Sequence, residues 1–402
     1  HVLQVCDELF RAQLLGDAGA RRYVLEDRKI GPAQIEHFGI GYCPGGDRWL
    51  LQALHDKGIS DDEAVALGVV AKSERGAYSR FRQRVVFPIR DRRNRTIGFG
   101  GRLIADGDSQ SSKYINTPQT LLYDKSKVLF GLAQALPQLR KQKPAVLVEG
   151  YFDVVAMASI GCAALAPCGT SLTAAQVDEL AQHTQTVYLC FDDDKAGRIA
   201  SKKALLQLLA KGLNVHSVIL AAKDPDAMLR EKGAAALRDA VQGPPEALER
   251  LIGKAARFAF GSPAKKVKAL DALLPYLAAP PRAVARRAFA KTAADALGQP
   301  EELVWSEVHS RGVKALRRAL PRDFQNESVD VVVAPPPLPP APAWSAEELG
   351  LARALIAHPL LATQLGPVLD EIQNSTLRHV VTGLEKAISA NSARDAKDLL
   401  SL

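Results

Sequence analysis

Apolar and polar positions alternate in two ways between residues 144 and 228. Short apolar runs of strand length occur four times, as "AVLVE", "CAALAP", "TVYLCF" and "VHSVIL". The stretches between them space their apolar residues as helices do: "YFDVVAMASI", "TAAQVDELAQH" and "AGRIASKKALLQLLAKG". Strands that alternate with helices at this spacing predict a mainly parallel sheet covered by helices. We therefore expect an α/β fold.

Residues 1–143 show a different pattern, in which helical stretches are broken by turns rich in Gly and Pro, such as "GYCPGGD". This mixture predicts an α+β subdomain. From Arg80, "RFRQRVVFPIRDRRNRTIGFGGRLI" alternates arginines with β-branched and aromatic residues. The pattern predicts two strands joined by a tight loop at "RRNR", with a basic face, and places Phe81, Phe87 and Phe99 in the core.

The remainder of the chain is predicted to be mostly helical. Residues 229–325 are rich in Ala and have helical periodicity. The run "VVVAPPPLPPAP" makes residues 326–343 a proline-rich linker, which we expect to be extended. Residues 344–402 again predict amphipathic helices.

Composition and charge narrow the class of protein. The 402 residues carry 52 Lys and Arg against 44 Asp and Glu, and this net charge of +8 favours a polyanionic partner. Five cysteines without a Cys-x-x-Cys pair argue against a zinc site and against a disulfide framework. We expect no membrane segment and a cytoplasmic location, because no long apolar run or targeting signal occurs. Since residue 1 is histidine, we expect an interior piece of a longer chain.

Acidic residues follow three of the four predicted strands. Glu149 ends the first strand, Asp192 and Asp194 follow the third, and Asp224 and Asp226 lie just past the fourth. Because the carboxyl ends of parallel strands meet at one edge of a sheet, we expect these carboxylates to come together. Their repulsion would be relieved by Mg²⁺ or Mn²⁺, which prefer oxygen ligands. Two such ions about 4 Å apart serve in-line phosphoryl transfer.

Simpler explanations exist for each acidic cluster alone, since acids after strands are commonly helix caps or solvated loop residues.

In the extended triplet, Asp193 is expected to point away from the site that its two neighbours face. Gly197 is expected to let the chain turn tightly into the next helix. Asp153 lies in the first turn of the first helix. It either supports the metal ligands or is simply an acid that the helix dipole stabilises.

Several stretches resemble known protein families. "EGYFD", "DDDKAG" and "DPD" resemble the acidic motifs of the Toprim module. "RFRQRVVFPIRDRRNRTIGFGGR" and "KYINTPQTLLYDKSKVLFGL" resemble the polymerase core of bacterial replicative DNA primase of the DnaG type, and "ARRYVLEDRKIGPAQIEHFGIGYCPGG" resembles the start of that core. The resemblance covers about residues 1–325.

The resemblance implies synthesis of short RNA primers on single-stranded DNA from ribonucleoside triphosphates. It implies that Glu149, Asp192 and Asp194 are catalytic, and that these three with Asp224 and Asp226 hold Mg²⁺ or Mn²⁺. It also implies a basic ridge that binds nucleotide or template, formed by Arg84, Arg102, Lys113, Asn116 and Lys125. From Arg80 to Arg102 the chain has eight arginines against one aspartate, which suits phosphate contacts.

The family resemblance also implies partners and exposes differences. A replicative helicase is expected to bind residues 344–402, and the chain is expected to be a monomer. Asp193 stands where the family usually has glycine. The zinc-binding module of the family is absent here, because the chain has no cluster of Cys and His. A Toprim-type nuclease and a nucleic-acid-binding scaffold that does not catalyse a reaction are the alternative functions.

Overall fold

The fold is that of a computed structural model, which describes residues 1–46, 48–74, 76–104, 112–169, 171–325, 346–365, 377–378 and 380–382. The chain divides into one unit of residues 1–332 and a second of residues 333–402. No helix in these described ranges is both long enough and apolar enough to cross a bilayer.

The first part of the larger unit is the mixed subdomain that the sequence predicts. Its helices are α1 (Val2–Gly16), α2 (Ala18–Arg22), α3 (Pro32–Phe38), α4 (Arg48–His55), α5 (Asp61–Ala66) and α6 (Leu132–Leu139). Its strands are β1 (Gly41–Cys43), β2 (Val70–Ser73), β3 (Gly76–Ser79), β4 (Arg84–Arg90), β5 (Thr96–Leu103), β6 (Tyr114–Asn116) and β7 (Leu129–Phe130). The order β1-β4-β5-β6 makes an antiparallel sheet, and β2 pairs with β3.

Strands β4 and β5 form the predicted hairpin. Phe81, Phe87 and Phe99 are fully buried, as the alternation of the sequence indicates. The predicted basic face is wrong for two arginines, because Arg84 and Arg102 are themselves buried. Both faces of β4 are covered by packed elements, so alternation along the strand does not lead to exposure.

The second part contains the predicted parallel sheet. Its strands are β8 (Ala145–Leu147), β9 (Ala163–Pro167), β10 (Thr186–Leu189) and β11 (Asn214–Ser217), and its helices are α7 (Tyr151–Ser159), α8 (Ala174–Ala181), α9 (Lys195–Ala210) and α10 (Pro225–Ala240). The strand order is β11-β10-β8-β9-β7. Strands β8 to β11 are parallel, and β7 adds an antiparallel edge from the first subdomain. The sheet predicted from the alternation of strands and helices is confirmed.

Helices continue the larger unit to residue 325, as predicted: α11 (Ala247–Ala259), α12 (Pro263–Ala278), α13 (Ala283–Leu297), α14 (Glu301–Glu307), α15 (Val313–Ala319) and α16 (Arg322–Gln325). The predicted boundary between residues 228 and 229 falls inside α10. Leu165 and Leu205, from the parallel-sheet region, share one apolar cluster with Leu277 and Leu316 of the helical region. The helices therefore extend the core of the sheet.

The second unit is described separately. It contains α17 (Ala346–Ala357) and a 3-10 turn over Pro359–Gln364. Leu355, Ala362, Leu377 and Val381 form a small buried cluster there. The predicted linker at residues 326–343 lies outside the described residues.

The first subdomain and the parallel sheet meet at a close contact between a glycine and a tyrosine. A Cβ atom added to Gly100 in β5 would lie 2.3 Å from the ring of Tyr151 at the start of α7. Tyr151 also stacks on Phe87, with ring centroids 5.3 Å apart. Gly100 is therefore required by the space between the two parts, since its backbone does not have a positive φ.

We predict that Gly100→Ala lowers the free energy of unfolding by about 1–3 kcal/mol, because the added methyl group overpacks this contact. Urea unfolding of both proteins measures the difference. Gly16→Ala is the control, because nothing lies within 4 Å of the position where its Cβ would be. Equal stability of the Gly100 variant and the wild type would contradict the inferred close contact.

Candidate active site

A cavity of about 690 Å³ lies where the first subdomain faces the carboxyl ends of the parallel strands. The predicted site residues that line it are Glu149, Asp192, Asp224, Asp226, Arg102, Lys113 and Asn116. The structure thus brings together acids that are far apart in sequence with part of the predicted basic ridge. Three predicted residues that the structure also describes, Asp194, Arg84 and Lys125, do not line this cavity.

Glu149 and Asp192 lie side by side. Glu149 follows β8, and its Oε1 accepts a hydrogen bond of 2.9 Å from the backbone N–H of Asp192. A Cβ on Gly197 would lie 2.6 Å from the same Oε1 and 2.2 Å from the carbonyl oxygen of Asp192. Gly197 lies within α9, so it is needed for this close approach, whereas the sequence predicted that it was needed for a tight turn.

The surroundings of these two acids disfavour their ionised forms. Burial raises the pKa of Glu149, and the nearby charges of Asp192 and Asp194 raise it further. Burial also raises the pKa of Asp192, with the charge of Asp224 as the next cause. Lys223 partly relieves this repulsion, since its Nζ lies 3.7 Å from Oδ2 of Asp192. More positive charge would stabilise the ionised carboxylates.

Two of the predicted acids cap helices. Oδ1 of Asp194 accepts a hydrogen bond of 2.8 Å from the N–H of Gly197 at the start of α9, and this bond is the main reason that its pKa is lowered. Oδ1 of Asp224 accepts one of 2.6 Å from the N–H of Ala227 at the start of α10. The simple explanation, helix capping, thus holds for both residues, although Asp224 also lines the cavity. Asp193 is exposed, as predicted, and pairs with Arg198.

Asp226 is held in a buried ion pair that the sequence does not indicate. Its Oδ2 lies 2.6 Å from Nη1 of Arg28 and 3.2 Å from Nε of Arg230. The guanidinium of Arg28 lies over the ring of Phe152, 4.5 Å from its centroid. Both arginines bind the same oxygen, so Oδ1 is the atom through which Asp226 can act at the cavity. Arg28 lines the cavity, and motif analysis did not select it.

Asp153 connects two of the acidic strand ends. Its Oδ2 accepts a hydrogen bond of 3.0 Å from the N–H of Gly150, and its Oδ1 accepts one of 3.2 Å from the N–H of Asp226. Burial raises its pKa well above the usual range, and the charge of Asp224 adds to this effect. Of the two explanations left open by the sequence, the support of neighbouring acids describes these contacts better than a dipole effect alone.

The basic side of the cavity centres on Arg102. This residue is 6% exposed, and its guanidinium lies 4.8 Å from the centroid of the Tyr114 ring. Its Nε and Nη1 have no hydrogen-bond partner within the described residues. These two nitrogen atoms are buried from solvent, so Arg102 offers the cavity mainly its positive charge, which favours an anionic ligand. Lys113 lines the same cavity.

The other predicted residues of the basic ridge have different surroundings. The Tyr151 hydroxyl donates to Oδ1 of Asn116 at 2.6 Å, and Nδ2 of Asn116 donates to the Cys168 carbonyl at 2.6 Å, so both ends of this amide are engaged within the protein. Arg84 is buried and donates to the carbonyl oxygens of Arg82 and Ser112. Lys125 is exposed elsewhere on the surface.

The chemistry of the acidic donors fits a divalent cation. In the part of the chain that the structure describes, no three Asp, Glu, His or Cys side chains lie close enough together to hold a metal ion. Glu149 and Asp192 nevertheless offer the hard oxygen atoms that Mg²⁺ and Mn²⁺ prefer. Burial, followed by the charges of neighbouring acids, raises the pKa of both carboxyl groups, and a bound cation would favour their ionised forms.

Comparisons with known proteins agree with this geometry. Residues 9–136 match the family "DNA primase catalytic core, N-terminal domain", and residues 146–229 match "Toprim-like". The RNA polymerase domain of Mycobacterium tuberculosis primase DnaG, solved with a double-stranded DNA oligomer that has a 6-nucleotide overhang, is similar at 32% identity and a TM-score of 0.64. The match covers 74% of this chain and 97% of that one. This chain belongs to the DnaG-type DNA primase family.

Other relatives support the same family. The zinc-binding and RNA polymerase domains of Aquifex aeolicus primase are 33% identical with a TM-score of 0.66, covering 76% of this chain and 74% of that one. The DNA primase of Pasteurella multocida is 34% identical over 74% of this chain and 52% of its own length. That of Haemophilus influenzae is 36% identical over 58% and 40%, respectively. The chain spans about half the length of the curated relatives it matches.

A third family match concerns the helicase. The family "DnaB-helicase binding domain of primase" matches residues 248–302, which contain most of α11 and all of α12 and α13. The sequence predicted helicase binding at residues 344–402. This match therefore places the helicase-related sequence before the proline-rich run.

We predict that Asp226→Asn lowers the free energy of unfolding by about 3 kcal/mol, because it leaves buried positive charge on Arg28 without its carboxylate. Urea unfolding measures the change. Asp193→Asn is the matched control, and it should cost less than about 1 kcal/mol because its ion pair is exposed. A similar small change in both variants would show that the Arg28 ion pair contributes little to stability.

Proposed function

We propose that this chain is the polymerase core of a DNA primase, which synthesises short RNA primers on single-stranded DNA from ribonucleoside triphosphates. One observation carries the proposal: the carboxylates at the ends of the parallel strands and the guanidinium of Arg102 line the same cavity. Joining nucleotides requires positive charge for the triphosphate and oxygen ligands for divalent cations, and this cavity offers both.

The acidic side would hold Mg²⁺ or Mn²⁺. Glu149, Asp192 and Asp224 are the proposed ligands that line the cavity, and Asp194 contributes charge from the cap of α9. Bound divalent cations supply positive charge to the attacking and leaving oxygens of an in-line displacement. Asp226 is proposed to contribute Oδ1 to cation binding, while the ion pair of its Oδ2 with Arg28 holds the side chain in place.

The protein's own residues would bind and orient the substrates. Arg102 is proposed to place its positive charge beside phosphate oxygens of the nucleotide or the template. Lys113 and Lys223 supply further positive charge at the same cavity. Glu149 is proposed to orient the attacking 3′-hydroxyl with its carboxylate. Asn116, which is engaged with Tyr151 and Cys168, is proposed to position the basic side rather than to contact substrate.

Partners follow from the relatives. The DnaG primase catalytic domain solved with bound single-stranded DNA is 29% identical to this chain, with a TM-score of 0.65. We propose single-stranded DNA as the template here, with the exposed Lys125 as a further contact. Arg84, which is buried and bonded to backbone carbonyl oxygens, is proposed to support the basic ridge from within. We propose a replicative helicase as the protein partner, at residues 248–302 where the family match lies. Residues 344–402 are the second candidate, and the chain is proposed to act as a monomer.

We predict that Glu149→Gln and Asp192→Asn each reduce RNA synthesis at least about 100-fold. Each substitution removes a negative charge that would hold the divalent cations at the transferred phosphoryl group. Incorporation of labelled ribonucleotides is measured with Mg²⁺ or Mn²⁺, both on single-stranded DNA and on a template with an annealed RNA primer. The annealed primer tests elongation without the need for initiation. Asp193→Asn is the control and should retain activity, because its side chain is exposed and paired with Arg198.

The same assay separates the rival functions. DNA cleavage without synthesis, lost in the two acidic variants, would support a Toprim-type nuclease. DNA binding by the wild type without synthesis from the annealed primer would support a binding scaffold. Either result would overturn the proposed polymerase activity.

A further inference from the structure

A second cavity, of about 160 Å³, lies beside the loop that carries Asp192 and Asp193. It is enclosed by α9, by the loop that follows β11, and by α11. Asp192 and Lys223 line both this cavity and the candidate active site, and the other lining residues of the two cavities differ. We call it the basic cavity, because of the charges described next.

Cationic side chains from three elements line the basic cavity. They are Arg198 and Lys202 from α9, Lys223 from the loop after β11, and Arg250 and Lys254 from α11. The carboxylates in the lining are those of Asp192 and Asp193. The charged groups therefore sum to a net of +3 around a small volume. Such a convergence creates a local positive potential that attracts anions.

The two arginines are held in place by short hydrogen bonds. Nη1 of Arg250 donates to Oγ of Ser217 at 2.8 Å, which connects α11 to the end of β11. Nη1 of Arg198 donates to the carbonyl oxygen of Asp193 at 2.9 Å and to its carboxylate at 3.2 Å. Each bond uses Nη1 and leaves other N–H groups of the fork to bind a ligand. The arginines are therefore oriented before any ligand arrives.

The two lysines carry the charge that remains unbalanced. Lys202 and Lys254 form no hydrogen bond or ion pair within the ranges that the structure describes. Burial lowers the pKa of Lys254, and the positive charges of Arg250, Lys202 and Arg257 lower it further, while Asp193 opposes this effect. At Lys254, the repulsion from these cations is thus greater than the attraction to Asp193.

Apolar side chains complete the wall of the basic cavity. Leu205 and Val218 are buried, and Phe191, Leu220 and Leu251 are partly buried beside them. Charges set against an apolar wall interact more strongly than charges in open water. Arg198, Lys202, Lys223 and Lys254 are themselves exposed, so an anion can reach them from solvent, and the apolar wall beside them makes a cavity in place of a flat charged face.

We infer that the basic cavity binds a polyphosphate group, that is, two or more linked phosphoryl groups. Cations that approach from three elements match an anion with several oxygens and more than one negative charge. The group could belong to a free polyphosphate or to the 5′-triphosphate end of a nucleic-acid chain. Binding can be measured without turnover, so this inference does not rest on the proposed polymerase activity.

Calorimetric titration of the full chain with tripolyphosphate tests the inference. EDTA is present, so that metal-mediated binding at the acidic site cannot contribute. We expect the wild type to bind and the double variant Lys202→Glu with Lys254→Glu to bind at least about tenfold more weakly. The single variant Lys254→Ala should weaken binding in the same direction, which provides the test if the double variant does not fold.

The matched control is the double variant Lys203→Glu with Lys268→Glu, which changes the net charge equally. Lys203 is the next residue on α9 and lines a different cavity, and Lys268 is exposed on α12. The control should bind tripolyphosphate within about twofold of the wild type, because the affinity depends on local contacts rather than on net charge. No binding by the wild type, or equal loss in the two double variants, would overturn the inference.

A second set of titrations identifies the source of the phosphate. RNA oligonucleotides of one sequence are compared with a 5′-triphosphate and with a 5′-hydroxyl. A preference of the wild type for the triphosphate end, lost in the Lys202 and Lys254 double variant, would support a chain end as the ligand. Binding of tripolyphosphate without such a preference would support a free anion. Equal weakening of both RNAs in that variant, with no displacement of either RNA from the wild type by tripolyphosphate, would overturn the inference, since the cavity would then bind the RNA backbone.

Discussion

The site depends on a balance between carboxylates crowded at one end of a parallel sheet and the few cations that lie among them. Burial raises the pKa of Glu149 and Asp192, and the charges of nearby aspartates raise it further, so added positive charge would favour the ionised site. The protein supplies part of it, because Lys223 lies near Asp192 and Arg28 pairs with Asp226. The charge that is still lacking explains why the chemistry of this site fits divalent cations and phosphates.

Backbone hydrogen bonds hold the acidic loops in place despite this repulsion. The N–H of Asp192 donates to Glu149, and the N–H of Asp226 donates to Asp153, so two long-range contacts join separate strand ends. The absence of a side chain at Gly197 permits the first contact. The site is thus part of the core of the larger unit, and its position does not depend on flexible side chains alone.

Sequence periodicity predicted the architecture well and the environment of individual side chains less well. Alternating strands and helices gave the parallel sheet, and acids after the strands gave the position of the cavity. Arg84 was expected on a basic face, yet it is buried, because elements distant in sequence cover both sides of β4. Asp194 was expected among the ligands, yet its carboxylate caps α9. Local patterns cannot separate these roles, because a capping carboxylate and a ligand occupy the same position after a strand.

By itself, the sequence determined the α/β class, the order of the elements and the edge of the sheet where the acids gather, because these follow from local periodicity and from the direction of parallel strands. Only the tertiary structure decided that Arg28 reaches Asp226, 198 residues away, and that Arg102 is buried beside the acidic cavity. It also decided that α9 and α11 converge on a basic cavity. The physical reason is that the packing of helices and strands decides which charged side chains come into contact and how exposed to solvent they are. The spacing of residues along the chain does not encode that packing.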